Sequence, residues 1–369
     1  MIIHLFAPFF SGSHQLWASE YAQFSEHDIR LFTLPGRHWK WRMHGAAVEL
    51  ARQFLEQSEQ PDLILTTDML DTATFLALTR VRTAKIPIAV YFHENQLTYP
   101  WSPTDEDVAQ KRDRHYAWIN YTSALAADAV FFNSQYHRDS FLGALPAFLK
   151  VFPDYKGLDT VAQIAAKSSV LYLGMDLRAL DPIKARYSSD IPILLWNHRW
   201  EYDKAPEVFF ACCEQLHAEG LDFRLIVLGE SYANRPAVFD AVKEKLSAKI
   251  LHWGYAEGFA EYAALVKSAH LLPVTSRQDF FGGSVVEAMY CGVYPLLPER
   301  LAFLEHVPTG WKKDSIYTKD ADLVNSLKDV LSKGFISTSS PSPFQLHVRR
   351  YDWREVVERY DQALAALLS

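Results

Sequence analysis

Short apolar runs alternate with longer stretches of helical periodicity along this 369-residue chain. Such runs are typical of strands that are buried on both faces of a parallel sheet, with the helices between them covering those faces. The first half contains the runs Ile2 to Phe6, Ile29 to Thr33, Leu63 to Thr66, Ile88 to Phe92, Ala129 to Asn133 and Ser169 to Leu173. The second half contains the runs Ile193 to Trp196, Arg224 to Leu228, Lys249 to Trp253, His270 to Val274 and Val293 to Leu297. The pattern predicts an α/β protein with two doubly wound, Rossmann-like sheets.

A polar segment punctuated by prolines separates the two series. It runs from Asp181 to Pro192, and we interpret it as a linker with the domain boundary near Asp190. We predict a first domain over residues 1–190, a second over 191–345, and a C-terminal helix over 346–369 that packs back toward the first. Open parallel sheets bind ligands beyond the carboxyl ends of their strands, so we expect two domains that face each other across a cleft.

Composition narrows the classes of function. The formal net charge of -7 argues against a non-specific nucleic-acid-binding protein, which would carry an excess of Lys and Arg. The cysteines Cys212, Cys213 and Cys291 suit neither a disulfide framework nor a CxxC-type metal site. No stretch approaches the roughly 18 apolar residues of a membrane span, and the N-terminus lacks the features of a signal peptide. We therefore expect a cytoplasmic protein that neither crosses a membrane nor is secreted.

The turn after the predicted strand ending at Val274 carries the strongest chemical signal. Gly282 and Gly283 open a helix there, and the carboxylates of Asp279 and Glu287 flank the turn. Unpaired N–H groups at a helix start can hold a phosphate or sugar hydroxyls, and carboxylates accept hydrogen bonds from hydroxyls. For a glycine pair alone, a plain helix start with a solvated Glu287 remains the favoured interpretation.

Arg199 and Lys204 follow the first predicted strand of the second domain. Two cations at this short spacing can hold a diphosphate from two sides, the Arg through a planar fork and the Lys as a movable point charge. The alternative is that they pair with Glu201 and Asp203 on a solvated loop.

Both stretches resemble the retaining GT4 glycosyltransferases, which have the GT-B fold. In that family two acidic residues with seven between them flank a Phe-Gly turn, and here Asp279 stands where the family usually has Glu. The resemblance implies that Asp279 contacts the donor sugar or its phosphate and that Glu287 holds the ribose. It also implies a metal-independent reaction without a cofactor, in which Arg199 and Lys204 stabilise the departing diphosphate. The turn residues implied to contact the donor are Phe280, Phe281, Gly282 and Gly283.

Glycines also end two further strands of the second domain. Gly229 is followed by Glu230, and Trp253 is followed by Gly254 and Tyr255. A nucleotide can approach such a backbone closely, but each position could equally be a simple turn. The resemblance implies that the first pair lies beside the nucleotide and that the second group contributes to the base pocket.

In the first domain, candidate residues follow three predicted strands. Gly12 can bring backbone amides toward a donor phosphate, and its neighbours Ser13 and His14 are candidate acceptor-binding residues. Asn133 is a third candidate for acceptor binding, because it resembles a cleft-facing GT4 position. His93 could orient an acceptor hydroxyl with Glu94 or Asn95 fixing its tautomer, or it could bond a loop carbonyl.

A basic and aromatic loop follows the second predicted strand. The residues are Arg37, Trp39, Lys40, Trp41 and Arg42, ahead of His44. Such a loop can contact phosphates while it stacks on a base, as small RNA-binding surfaces do. The alternative is a helix start with its indoles packed inward, and on these residues alone the two interpretations are about even.

Four stretches together are similar to the tRNA-queuosine mannosyltransferase family. They are Trp39 to Arg42, Phe92 to Pro100, His198 to Lys204 and Glu287 to Gly292. The resemblance implies a GDP-mannose donor, a queuosine nucleoside in a tRNA anticodon loop, with tRNA-Asp as the expected acceptor, and transfer with retention. It implies catalytic roles for His93, Arg199, Lys204 and Asp279, and acceptor roles for the basic and aromatic loop.

Three other functions fit parts of the sequence. One is a GT4 transferase with another nucleotide-sugar and a lipid or polysaccharide acceptor, and another is a nucleotide-sugar epimerase. The third is a non-catalytic module that binds RNA or a nucleotide-sugar. The oligomeric state is not indicated by the sequence.

Overall fold

A computed structural model describes residues 1–102, 105–109, 114–231, 235–333 and 341–368. The chain forms two compact units, Met1–Met175 together with Trp353–Ser369, and Asp176–Asp352. Each unit contains a parallel sheet of six strands, which confirms the predicted α/β architecture.

The sheet of the first unit has the order β2-β1-β3-β4-β5-β6. Its strands are β1 Ile2–Phe10, β2 Asp28–Pro35, β3 Leu63–Thr67, β4 Ile88–Phe92, β5 Ala129–Phe132 and β6 Ser168–Val170. Its helices are α1 Gly12–Phe24, α2 Trp39–Glu56, α3 Thr72–Thr83, α4 Glu106–Ala109, α5 Arg114–Ala126, α6 Gln135–Lys150, α7 Thr160–Ala166 and, from the end of the chain, α16 Trp353–Ala365. Strands β3, β4 and β5 are buried throughout, as their unbroken apolar runs predict.

The sheet of the second unit has the order β12-β11-β10-β7-β8-β9. Its strands are β7 Ile193–Asn197, β8 Arg224–Leu228, β9 Ile250–Gly254, β10 Leu271–Pro273, β11 Tyr294–Pro298 and β12 Ile316–Tyr317. Its helices are α8 Pro206–Ala218, α9 Val238–Lys245, α10 Phe259–Val266, α11 Gly283–Tyr290, α12 Phe303–His306, α13 Lys312–Ser315, α14 Leu323–Lys333 and α15 Pro343–Val348. Strand β12 was not predicted, because two residues are too short to form a recognisable apolar run.

The boundary between the units differs from the one predicted near Asp190. Residues 176–190 belong to the second unit, where the Lys267 ammonium donates to the carbonyl oxygens of Asp181 and Ile183. The Tyr290 hydroxyl also donates to the Asp181 carboxylate at 3.0 Å. The polar, proline-containing segment that was interpreted as a linker is thus fixed by side-chain contacts that a composition argument does not see.

Helix α16, which was predicted to pack toward the first domain, lies in the first unit. Its Tyr360 hydroxyl donates to the Tyr91 hydroxyl at 2.8 Å and accepts from the Trp17 indole at 3.3 Å, while Asp361 accepts from Tyr21 at 2.9 Å. These buried contacts connect the end of the chain to α1 and β4. No helix within the described ranges is both long enough and apolar enough to cross a membrane.

Candidate donor site and first-unit histidine cluster

Strands β7 and β10 are neighbours in the second sheet, so the loops that follow them lie side by side. The Arg277 amide donates to the Asp203 carbonyl at 2.7 Å, and the Thr275 hydroxyl donates to the Lys204 carbonyl at 2.8 Å. The sheet order therefore brings together two stretches that are about seventy residues apart, as expected for loops at the carboxyl ends of parallel strands.

Lys204 is the centre of this site. Its buried ammonium donates to the Gln278 carbonyl at 2.6 Å and to Asp279 at 3.0 Å, and it pairs with Asp203 at 3.2 Å. Burial lowers the pKa of Lys204, but the Asp279 and Asp203 carboxylates outweigh it and the net shift is upward. Lys204 therefore stays charged, held beside one of the two predicted donor-site carboxylates.

Arg199 lies in the same loop but is about half exposed. Its guanidinium pairs with Glu201 at 3.1 Å, so the predicted alternative, pairing on a solvated loop, describes its present contact. An exposed pair of this kind contributes little to stability and can exchange partners. Arg199 can therefore leave Glu201 for an incoming phosphate at small cost.

Several buried polar atoms of this site lack a hydrogen-bond partner. They include Asp279 Oδ2, Asn197 Oδ1 and His198 Nε2. Asn197 Nδ2 donates to the Ser284 carbonyl at the start of α11, so these residues adjoin the glycine turn. An unsatisfied buried polar atom costs about 1–3 kcal/mol, so the five such atoms among the described residues in Asn197, His198, Ser276, Gln278 and Asp279 call for water or a ligand that bears polar groups.

His198 was not predicted as a site residue. Burial lowers its pKa to about 4, so the ring is neutral at physiological pH. The sequence signal that could have identified it is its position directly before Arg199.

The glycine turn combines a backbone role with core packing. Gly282 has a φ of +87°, and a Cβ there would lie 2.9 Å from Phe303, so only glycine fits. Gly283 begins α11, as predicted. Phe280 and Phe281 are both buried, and the Phe281 ring packs against His306 and Tyr351. Any donor contact from these two phenylalanines must therefore come from the backbone.

Glu287 accepts a 2.6 Å hydrogen bond from the Tyr262 hydroxyl. Burial raises the pKa of Glu287 to about 6, although the Tyr262 hydrogen bond acts in the opposite direction. Tyr262 was missed because it lies on α10, and only the fold brings it to α11. Tyr262 and Glu287 together can bind the two hydroxyls of a ribose, with the carboxylate as the hydrogen-bond acceptor.

The raised pKa of Glu287 predicts a pH effect on stability. Between about pH 4.5 and pH 6 the folded chain keeps a proton that the unfolded chain releases, so the free energy of unfolding falls as pH rises. Chemical denaturation of wild type and Glu287→Gln from about pH 4.5 to about pH 7 should show wild type losing up to about 2 kcal/mol relative to the variant. If the free energies of unfolding of the two proteins change in parallel with pH, folding does not raise the pKa of Glu287.

The other two predicted strand-end groups have structural partners. Gly229 has a φ of +130°, and a Cβ there would overlap the His198 carbonyl at 2.0 Å. The backbone carbonyl of its neighbour Glu230 accepts a hydrogen bond from the Trp200 amide. The Trp253 ring stacks on Phe210, whereas Gly254 has a φ of +127° and Tyr255 is 70% exposed. Trp253 is thus already stacked, and Tyr255 is the member of this group that is open to a base.

In the first unit, His93 lies against a carboxylate that was not predicted. The Asp68 carboxylate accepts from the His93 amide at 2.9 Å and lies 3.3 Å from His93 Nδ1. Burial lowers the pKa of His93 to about 3 and raises that of Asp68 to about 6, the latter opposed by His14. The His14 ring is 4.4 Å from the His93 ring, centroid to centroid.

Glu94 and Asn95 form hydrogen bonds within their own loop. Glu94 accepts from the Gln96 side chain, and Asn95 Oδ1 accepts from the amides of Leu97 and Thr98. Asp68 is the carboxylate that lies against the His93 ring, and the sequence pattern could not connect it to a residue 25 positions away. Asn133 donates to the His93 carbonyl at 2.8 Å.

The remaining first-unit candidates surround the starts of α1 and α2. Gly12 begins α1 with a φ of +52°, and Ser13 and His14 follow it in the first turn of that helix. Arg37 lies two residues before the start of α2, with His38 between it and Trp39.

The segment predicted as a basic and aromatic loop is mostly the first turns of α2. The Trp39 indole packs against Trp101, which lies before α4, and against Tyr116 on α5, and the Lys40 ammonium pairs with Asp105 and Asp107. The alternative interpretation, a helix start, is therefore correct from Trp39 onward.

The side chains of Trp41 and Arg42 in that segment face solvent. Trp41 is 63% exposed, and Arg42 Nε donates to the Pro35 carbonyl at 3.1 Å. An exposed indole beside a guanidinium keeps the stacking and phosphate contacts available.

Two family models match the chain. One, described as tRNA-queuosine alpha-mannosyltransferase N-terminal, matches residues 2–175, and one described as Glycosyl transferases group 1 matches residues 192–332. The tRNA-queuosine alpha-mannosyltransferase of Drosophila melanogaster is 31% identical over 369 residues, or 97% of this chain and 95% of the relative. The GDP-mannose:cellobiosyl-diphosphopolyprenol alpha-mannosyltransferase of Xanthomonas campestris is 27% identical over 181 residues, 47% of each protein.

The fold has solved counterparts. Sucrose-phosphate synthase from Thermosynechococcus elongatus superposes with a TM-score of 0.72 at 15% identity, over 100% of this chain and 99% of that chain. Two parallel α/β units with this likeness, together with the group 1 match, define a GT-B glycosyltransferase. The full-length match and the N-terminal family model are more specific. The chain belongs to the tRNA-queuosine alpha-mannosyltransferase family.

Proposed function

We propose that this protein transfers mannose from GDP-mannose to the cyclopentenediol of queuosine in a tRNA anticodon loop, with tRNA-Asp as the acceptor. The observation that carries the proposal is the 31% identity to a tRNA-queuosine alpha-mannosyltransferase over nearly all of both chains. The partial likeness to a GDP-mannose-dependent enzyme supports the donor. A cytoplasmic location agrees with a tRNA acceptor.

Retention of configuration follows from the proposed donor and product. GDP-mannose carries mannose in the alpha configuration, and an alpha-linked product keeps that configuration. The proposed step breaks the bond between the anomeric carbon and the diphosphate, forms a bond to the acceptor hydroxyl, and releases GDP and a proton. The departing diphosphate can accept that proton.

The donor-site residues have distinct proposed roles. Arg199 and Lys204 neutralise charge that develops on the leaving diphosphate, and no metal ion or cofactor is required for that role. Asp279 Oδ2 accepts from a sugar hydroxyl, and Glu287 accepts from the ribose. His93 orients the acceptor hydroxyl.

One assay tests the donor and the acceptor together. Radiolabelled GDP-mannose and UDP-sugars are each incubated with the protein and with tRNA that contains or lacks queuosine. We expect label only from GDP-mannose and only in queuosine-containing tRNA, and an alpha linkage in the nucleoside after digestion. Equal labelling of both tRNA pools, or a beta linkage, contradicts the proposal.

A lipid-linked acceptor is the second candidate, and the Xanthomonas campestris relative favours it because its name specifies a polyprenol-linked substrate. That likeness covers only 47% of this chain, so the full-length relative outweighs it. Mannose transfer to a diphosphopolyprenol glycan, with none to tRNA, would establish the second candidate.

A further inference from the structure

We infer that Asp68 is a positioning residue that fixes the tautomer of His93, so that Nε2, the second nitrogen of the imidazole, is left to accept a hydrogen bond. This inference rests on the proposed role of His93 in the transfer reaction. The sequence pointed instead to Glu94 and Asn95, whose side chains form hydrogen bonds within their own loop.

The parallel sheet brings the two residues together. Strand β3 ends at Thr67 and its neighbour β4 ends at Phe92, so Asp68 and His93 are the first residues beyond adjacent strand ends. The Asp68 amide donates to the Tyr91 carbonyl at 3.2 Å, and the His93 amide donates to Asp68 Oδ1 at 2.9 Å. Register between two strands therefore sets the distance from carboxylate to imidazole.

The neighbours of the His93 ring determine which of its two nitrogens carries the hydrogen. A neutral ring carries its hydrogen on one nitrogen, and an acceptor-only carboxylate 3.3 Å from Nδ1 favours the hydrogen there. Nε2 then has a free lone pair, and this buried atom lacks a protein partner. A hydroxyl from a sugar or a nucleoside can donate to it.

The ring itself is held by other residues. The Trp17 and Tyr91 rings meet it edge-on at 4.6 and 4.8 Å, and Asn133 holds its carbonyl. The Asn120 side chain holds the Asp68 carbonyl at 2.9 Å. Because packing fixes the ring plane, removal of the Asp68 charge should change the tautomer more than the position of the ring.

Direct observation of the tautomer is the first test. Long-range proton–nitrogen-15 spectra of the histidine-labelled protein distinguish Nδ1–H from Nε2–H in a neutral ring, and His93→Gln identifies the signal. We expect Nδ1–H in wild type and a shift toward Nε2–H in Asp68→Ala, which removes the acceptor oxygen beside Nδ1. A wild-type ring with Nε2–H overturns the inference. This measurement needs no acceptor, so it stands whether or not queuosine tRNA is the substrate.

Kinetics are the second test. Asp68→Ala should lower kcat by about 100-fold and leave the donor KM within about twofold, because the lost function lies in acceptor orientation. Asp71→Ala is the matched control, since Asp71 lies three residues away and caps α3 through the Thr74 amide. An equal loss in both variants, or a tenfold rise in donor KM with kcat unchanged, overturns the inference.

A bound cation is the competing explanation. His14, Asp68 and His93 place one ligand atom each within 4.8 Å of one another, which are atom types that divalent metals accept. The assay is therefore repeated after chelation and after addition of Zn²⁺ or Mn²⁺. Unchanged activity supports a tautomer role for Asp68. Loss on chelation that the metal alone restores makes Asp68 a metal ligand and overturns the inference.

Discussion

Replacement of Arg199 by alanine is expected to lower the rate of mannose transfer by about 100- to 1,000-fold, with the free energy of unfolding nearly unchanged. Its side chain is 48% exposed and pairs with the partly buried Glu201. Loss of a largely exposed pair costs about 0–1 kcal/mol, whereas loss of a cation from the leaving diphosphate costs several kcal/mol in the transition state. Single-turnover rates with saturating GDP-mannose measure the first quantity, and urea denaturation measures the second.

Arg224→Ala is the matched control for Arg199. Arg224 begins β8, at the amino end of the strand, and pairs with the surface residue Asp222 at 2.8 Å. It should retain the wild-type rate. If Arg199→Ala also transfers mannose at that rate, the assignment of Arg199 to the diphosphate is wrong.

Replacement of Lys204 by methionine is expected to damage both stability and transfer. The ammonium is buried between Asp203 and Asp279, so its removal leaves two carboxylates close together without their cation. Breaking a buried pair in this way costs about 3–5 kcal/mol, and donor binding loses a phosphate contact as well. Urea denaturation measures the stability, and calorimetric titration with GDP measures the binding.

The loss of stability expected for Lys204→Met is compared with that of a variant at an exposed lysine. Lys245→Met removes an exposed lysine that pairs with Glu214 and should change stability by no more than about 0.5 kcal/mol. A double variant, Lys204→Met with Asp279→Asn, should regain part of the lost stability without regaining GDP binding. Equal stability of Lys204→Met and Lys245→Met would mean that the buried ion pair is not formed.

The sheets were predictable because their signal is local. An unbroken apolar run such as Ile88 to Phe92 indicates burial on both faces. Eleven of the twelve strands in the described residues overlap one of the predicted runs. The clustering of Lys204 and Asp279 was predictable from family motifs. Their direct ion pair was not, because it depends on loop geometry after β7 and β10.

The residues that were missed share a physical cause. Asp68 and Tyr262 lie outside recognisable motifs, and each reaches its partner only through the fold. Lys40 shows the opposite error. A charged residue in a basic and aromatic segment resembles an RNA contact, but the carboxylates of Asp105 and Asp107 already neutralise its charge. Local pattern reports which groups are present, but it does not report which of them already have partners.

Helix α16 gives the first unit a particular order of assembly. Trp17 and Tyr21 bond Tyr360 and Asp361, and the Trp353 indole donates to Glu20 at 2.6 Å. A ribosome releases these partners more than 300 residues after it releases α1. During synthesis the first unit must wait, with apolar surface uncovered, while the entire second unit is made and can fold. Chaperone binding to nascent chains should therefore persist until the last helix emerges.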